Sequence, residues 1–244
     1  MKKIAVITVL SSCLFNISAY AEQESQTPNI IYILADDLGY SEVGAYGQTK
    51  IKTPNIDELA KQGMKFTQHY SGSAVCAPSR SSFIEGKHTG HSYVRGNINN
   101  GKKGRHRGNH PLPDTRTLGD MFKEQGYATA AIGKWGLGGM VGTGHPNDHG
   151  FDLFYGYLDQ IHAHNYYPTY LVKNRSFVEL NNPKMRKKHN VSAKELNNPA
   201  SYSAYQGKDF SGDLMADEAI NFIDTNAMAK KPFFLYFPTP IPHV

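Results

Sequence analysis

Cysteine is nearly absent: the 244 residues contain two, Cys13 and Cys76, too few for the disulfide framework of a small secreted scaffold. Beyond the first two dozen residues no segment approaches the roughly 20 apolar residues that a membrane-spanning helix needs. There is no internal repeat and no clear linker, which argues against a solenoid or a string of modules. Disorder and collagen-like structure are excluded by a 39% hydrophobic and 11% aromatic composition without a glycine period. That is enough apolar material for a sizeable core in one large domain or two small ones.

The amino terminus carries its own pattern. Met1-Lys2-Lys3 is a positive start, Ile4 to Ile17 is mostly apolar, and Ala19-Tyr20-Ala21 is an A-x-A cleavage site before polar Glu22-Gln23-Glu24. Residues 1–21 therefore read as a secretory signal peptide and 22–27 as a short polar leader, so the mature chain is expected to be exported, periplasmic or secreted, with no transmembrane span. Leu10-Ser11-Ser12-Cys13 also resembles a lipoprotein cleavage box, and a lipid anchor on Cys13 is the alternative. If Cys13 is removed, Cys76 is a lone cysteine in an oxidising compartment, either inert and buried or reactive.

The formal charge is +5, concentrated at Lys102 to Arg107 and Lys184 to His189. Solvated loops rich in Gly and Asn account for both clusters, and attraction of an anionic substrate such as a sulfated glycan is the alternative. No nucleic-acid-binding motif accompanies them.

Asn29 to Ala35 is an unbroken apolar run, expected to be a parallel strand covered on both faces. It ends on Asp36-Asp37. Thr53-Pro54 opens a helix that Gly63 ends. A second helix is expected over Thr117 to Gln125, with Asp120 three residues after its cap, leading into a strand from Tyr127 to Ile132. A third helix spans Asp213 to Asp224, and Phe233 to Phe237 forms another strand. This alternation predicts an α/β fold with a mostly parallel sheet flanked by helices, and chemistry at the carboxyl ends of the strands. Gly136 to Gly212 reads as a long substrate-facing insertion.

Adjacent carboxylates at a strand end, Asp36 and Asp37, suit a hard divalent cation, although taken alone they read first as a strand-to-helix turn with an N-capping aspartate. Cys76 lies in Ser73-Ala74-Val75-Cys76-Ala77-Pro78-Ser79-Arg80. Pro78 can start a helix, so Cys76 falls at a helix amino terminus where the dipole and free amides favour an anion. Arg80 returns to the same face one turn later.

Cys76-Ala77-Pro78-Ser79-Arg80 resembles the signature of the sulfatase family, in which the cysteine is oxidised to formylglycine. The likeness extends in order through Pro28 to Tyr40, Thr53 to Asp57, Gly133-Lys134-Trp135-Gly136-Leu137-Gly138 and Pro240-Ile241-Pro242-His243. It implies an arylsulfatase-like sulfuric ester hydrolase, of the alkaline-phosphatase-like superfamily, acting on aryl or carbohydrate sulfates. Asp36, Asp37 and an oxygen on modified Cys76 would bind calcium, with magnesium as the alternative. Arg80 would steady the modified residue, and Lys134 and His243 would hold sulfate and help the leaving oxygen depart. One hydroxyl of the hydrated aldehyde would attack sulfur and the other would expel sulfate. A formylglycine-generating maturation enzyme is an implied partner.

Two departures stand out. Many family members carry histidine where Gly136 stands, so another group must supply its function; His162 and His164 are the candidates, and an ordinary polar loop is the alternative. A zinc site on that pair lacks a third ligand. The family's Asp-Asn metal pair and a further active-site lysine come after the segment that matches His243, so the resemblance implies that residues 28–244 are the amino-terminal part of a longer catalytic domain. A formylglycine-dependent phosphodiesterase or phosphonate monoester hydrolase is a rival reading, and a non-catalytic sulfated-glycan-binding protein is a third. Gly136 to Gly144 fits no nucleotide-binding pattern. Asn174-Arg175-Ser176 and Asn190-Val191-Ser192 match glycosylation acceptors but are read as incidental.

Overall fold

The structure is a computed structural model that describes residues 27–99, 101, 104–108, 111–184 and 191–243. The expected signal peptide with Cys13, residues 22–26 of the leader, Lys102, Lys103 and residues 185–190 lie outside the described residues.

Six strands, β1 (Ile30–Ala35), β2 (Ala128–Lys134), β3 (Leu153–Tyr157), β4 (Tyr170–Lys173), β5 (Ser176–Glu179) and β6 (Phe233–Thr239), form one sheet in the order β1-β6-β2-β3-β4-β5. The four strands from β1 to β3 in that order are parallel, and β4 and β5 add antiparallel. Among the described residues there are four α-helices, α1 (Pro54–Gln62), α2 (Cys76–Glu85), α3 (Leu118–Glu124) and α4 (Ser211–Met228); the last three flank the sheet, whereas α1 buries no residue and packs against the short turn at Gly44–Tyr46. The α/β class with a mostly parallel sheet is as the sequence predicts.

Side chains alternate across the sheet, so a strand covered on both faces must be apolar at consecutive positions. Ala128, Ala130, Ile132, Phe233 and Leu235 pack with Met215, Ala219 and Phe222 of α4. Their neighbours Ala131, Phe234 and Tyr236 pack on the opposite face with Ala77 and Ile84 of α2, and Leu118 and Phe122 of α3 join them. β2 is buried at every position and runs two residues further than expected, ending on Lys134.

β1 departs from expectation. Ile30, Tyr32 and Leu34 pack against the core, but Ile31 and Ile33 are 48% and 64% exposed. β1 is the edge strand and only one of its faces is covered among the described residues.

The local punctuation mostly behaves as the sequence indicates. Pro54 begins α1 and Gly63 follows its end. Thr117 and Asp120 form a reciprocal capping box at α3. α4 is longer than expected at both ends. The main correction concerns Gly136 to Gly212, which is not a simple insertion: it contains β3, a full member of the parallel sheet, and the β4–β5 hairpin turning at Asn174 and Arg175. Asn174 takes φ 51, which a two-residue hairpin turn favours. The Asn174 carboxamide oxygen accepts the Phe154 amide at 2.8 Å.

At the carboxyl end of β2, Gly133 has φ 136, and a Cβ there would lie 2.2 Å from the Pro238 carbonyl oxygen. Only glycine permits this approach to β6. It brings the backbone of Lys134 to the mouth of the sheet.

Candidate active site

Four chain segments converge at the carboxyl ends of three neighbouring parallel strands. Asp36 follows β1, Lys134 ends β2, His243 follows β6, and Cys76 opens α2, which packs across the same face. The Asp36 amide donates to the Ile241 carbonyl at 3.2 Å, tying the loop after β1 to the loop after β6. Parallel strands make such convergence possible because all of them present the same end.

Asp36 is the hub. It is 4% exposed; the Arg80 Nη2 donates to its Oδ1 at 3.0 Å and the Lys134 Nζ to its Oδ2 at 2.6 Å. Arg80 and Lys134 are themselves buried, at 2% and 0% exposure. Burial alone would raise the Asp36 carboxyl, but the Arg80 guanidinium and the Lys134 ammonium outweigh it and hold the group below the ordinary carboxylate range. Arg80 also donates through Nη1 to the Lys134 carbonyl at 2.6 Å, so α2, β1 and β2 are clamped by one side chain. Lys134 Nζ lies 3.6 Å from the Cys76 sulfur.

Asp37 differs sharply from its neighbour. Its side chain is 56% exposed and its Oδ2 meets His243 Nε2 at 3.1 Å. It holds φ 58, a left-handed conformation that costs energy in a non-glycine residue. Asp36, Asp37, Ser73, Cys76, Ser79 and Arg80 line an open pocket of about 210 Å³.

The structure separates the two candidate histidines. His164 lies against His243 with ring centroids 4.4 Å apart and the planes tilted by 49°. Burial, then the Lys134 charge and His243, lower its pKa. His162 instead packs edge-on to Tyr157 and against Tyr170, where burial depresses its pKa to about 4. The loop carrying both is pinned by a bond from the Tyr157 hydroxyl to the Asn165 carbonyl and one from the His162 amide to Asp159. Tyr166, which the sequence did not single out, donates its hydroxyl to the His243 carbonyl. The run Tyr166-Tyr167 is the only local hint of it.

The amino terminus of α2 corrects a second expectation. Free amides there were expected to attract an anion, but the Ala77 amide donates to Asn97 Oδ1 at 2.9 Å, Pro78 has none, and the Ser79 amide donates to the Val75 carbonyl at 3.1 Å. The cation placed directly beside Cys76 is Lys134, with its Nζ 3.6 Å from the sulfur. Of the basic cluster, Arg105 pairs with Glu179 and lies over Tyr170 and Phe177, while Arg107 pairs with Asp159.

Ligand atoms of Asp36, Cys76 and His243 lie within 4.8 Å of one another. As a thiol, Cys76 makes this a mixed soft and hard donor set. The cluster holds one carboxylate: Asp37, expected as a metal ligand, is not part of it, and His243, expected to bind sulfate, is. With an oxygen in place of sulfur the set suits a hard divalent cation better, though it provides fewer than the six to eight ligands calcium takes. Both Asp36 oxygens already bind cationic groups, which is the electrostatic demand a metal would also meet. Among the described residues no helix is long and apolar enough to cross a membrane.

A family model described as Sulfatase matches residues 28–244. The chain is 41% identical over 137 residues to arylsulfatase D of Homo sapiens, covering 53% of this chain and 23% of that protein. It is 43% identical over 142 residues to N-acetylgalactosamine-6-O-sulfatase of Bacteroides thetaiotaomicron, covering 56% and 26%. Among solved structures it resembles Ps i-CgsB in complex with k-i-k-neocarrahexaose, at 30% identity and TM-score 0.67, covering 90% of this chain and 46% of that one. The matched region thus spans about a quarter of these curated relatives and under half of the solved structure.

Proposed function

The chain belongs to the sulfatase family, and we propose that it contributes the nucleophile and the sulfate-binding side of an exported hydrolase acting on sulfate monoesters of carbohydrates or aryl alcohols. One observation carries this reading: a buried carboxylate, Asp36, bonded at once to Arg80 and Lys134, with the Cys76 sulfur 3.6 Å from Lys134. A sulfate monoester is anionic and repels an anionic nucleophile, so fixed cations beside the reacting group lower the barrier. The names of its relatives support both substrate types, since one is an arylsulfatase and another acts on a sulfated amino sugar.

Oxidised to formylglycine by a maturation enzyme, Cys76 would supply an attacking oxygen and, through its second hydroxyl, a route for release. Asp36 and Asp37 with that oxygen would hold a calcium or magnesium ion, which when bound neutralises charge on the sulfate oxygens. Arg80 keeps Asp36 ionised and aligned. Lys134 and His243 bind the sulfate group. His164, packed against His243, reaches the departing oxygen and protonates it, taking the place of the histidine that Gly136 lacks. Lys134 repels the protonated imidazole, and an incoming sulfate offsets that repulsion. The pattern of residues 1–21 supports export.

The test uses the full-length protein from a host with a formylglycine-generating enzyme. Mass spectrometry of the Cys76 peptide reads the oxidation, and parallel assays on an aryl sulfate, a sugar sulfate and a phosphate diester read the reaction. Conversion with preference for a sulfate ester is expected. Preference for the phosphorus ester, or Cys76 persisting as a thiol, overturns the reading.

A further inference from the structure

Cys76 can act only if the first turn of α2 is held still, and that turn has no side-chain cap from its own N-cap residue, Val75. The Ala77 amide is instead taken by Asn97, twenty positions away in sequence. The same Asn97 oxygen accepts a second bond, from Gln160 Nε2, at 2.9 Å. Gln160 is 3% exposed and follows β3, so the chain of contacts runs from the sheet through Gln160 and Asn97 to the peptide that follows Cys76. Two donors on one carboxamide oxygen fix which way Asn97 faces.

Gln160 also touches the other departure in this site. Gly136 has φ 76, and a Cβ there would lie 2.9 Å from Gln160 Cδ and 3.2 Å from its Nε2. A side chain at position 136 and Gln160 in its present place are mutually exclusive. The space that a side chain at position 136 would enter is filled by the glutamine that orients Asn97.

We infer that Gln160 and Asn97 are positioning residues that hold the Ala77 amide, and through it Cys76, against the loop after β3, a device available because position 136 carries no side chain. This rests on the reading of Cys76 as nucleophile for its catalytic consequence, but the relay itself is measurable without turnover. Misplacing a nucleophile by about 1 Å can cost on the order of a hundredfold in rate, whereas substrate sulfate held by Lys134 and His243 is little affected. The signature is therefore a fall in kcat with KM nearly unchanged.

The experiment compares Asn97→Ala, Asn97→Asp, Gln160→Ala and Gln160→Met in the full-length protein. Hydrogen–deuterium exchange of the peptide spanning Ala74 to Ser79 is read in the unoxidised form, and steady-state kinetics in the oxidised form. Asn97→Ala is expected to raise exchange in that peptide about tenfold, the order that one lost hydrogen bond gives, without raising it in the rest of α2. It is also expected to lower kcat about tenfold or more. Asn97→Asp keeps an acceptor for both donors and is expected to recover most of both effects. The Gln160 variants fall between, and Gln160→Met, which keeps the volume, separates loss of the bond from loss of packing. Unchanged exchange in Asn97→Ala, or Asn97→Asp as impaired as Asn97→Ala, overturns the relay. An inactive wild type with the expected exchange pattern sinks the proposed function and leaves the relay standing.

Discussion

Replacing Asp36 should cost far more stability than replacing either expectation of a surface ion pair or its own partner Lys134 would suggest. Asp36 is one negative charge serving two buried positive ones, Arg80 at 2% and Lys134 at 0% exposure. Asp36→Asn strips both cations of their counterion. Removing one member of a buried pair costs about 3–5 kcal/mol because the other charge stays behind, and here two stay behind, so the upper end is expected. Lys134→Met leaves Asp36 balanced by Arg80 and relieves the burial of an ammonium, so it should cost no more than the net worth of a charge-assisted bond, about 1.5–3 kcal/mol. Urea unfolding at pH 7 in the presence of a chelator measures both. The carboxyl of Asp36 is held below its ordinary range, so its contribution is complete above the unfolded-state value near ~4 and is lost as pH falls through the lower folded value. The gap between wild type and Asp36→Asn should therefore be flat from about pH 7 to 5 and close in stronger acid. A Lys134→Met protein as destabilised as Asp36→Asn, or a gap that widens in acid, would refute the charge balance.

A divalent cation should compete with Lys134 for Asp36 Oδ2, so Lys134→Met is expected to bind calcium more tightly while losing activity, by isothermal titration and turnover assay; weaker binding would contradict the competition. His164→Ala should reduce kcat on a sugar sulfate far more than on an aryl sulfate with a good leaving group, because only the former needs its departing oxygen protonated; equal losses would remove His164 from that role. His162 and His145 each have folded pKa values near 4 through burial, the latter beside Arg175. Their neutral forms are favoured, so the stability they support is present above the ordinary histidine value and is lost as pH falls from about 6.5 towards 4. His162→Phe should flatten part of that slope in a pH series of thermal melts, and an unaltered slope would count against it.

Local pattern carried most of the scaffold. Thr53-Pro54 and Gly63 bounded α1, Thr117 and Asp120 capped α3, and the apolar runs at 127–132 and 233–237 marked strands, which the fold covers on both faces. β3, β4 and β5 were missed because Leu153 to Glu179 mixes aromatic, glycine and polar residues without a clean period, and because the sheet changes direction there. The signal available was the Asn174-Arg175 turn between two short runs rich in Val, Phe, Tyr and Leu. β1 read as doubly covered since its composition does not reveal that it ends up at a sheet edge with Ile31 and Ile33 outward. The histidine pair could not be divided from sequence either, as two positions in one short loop differ only in where that loop is pinned.

The sequence by itself determined the family, the α/β class and the candidate residues for chemistry, because motifs, caps and apolar periodicity are local properties written in neighbouring positions. Only the tertiary structure decided how those residues differ. Asp36 became a buried hub and Asp37 an exposed rim residue, although they are adjacent in the chain. Lys134 meets Asp36 across 98 positions, and the Ala77 amide meets Asn97 across 20. Such meetings depend on strand order and register, which are set by packing of the whole sheet rather than by the residues that meet.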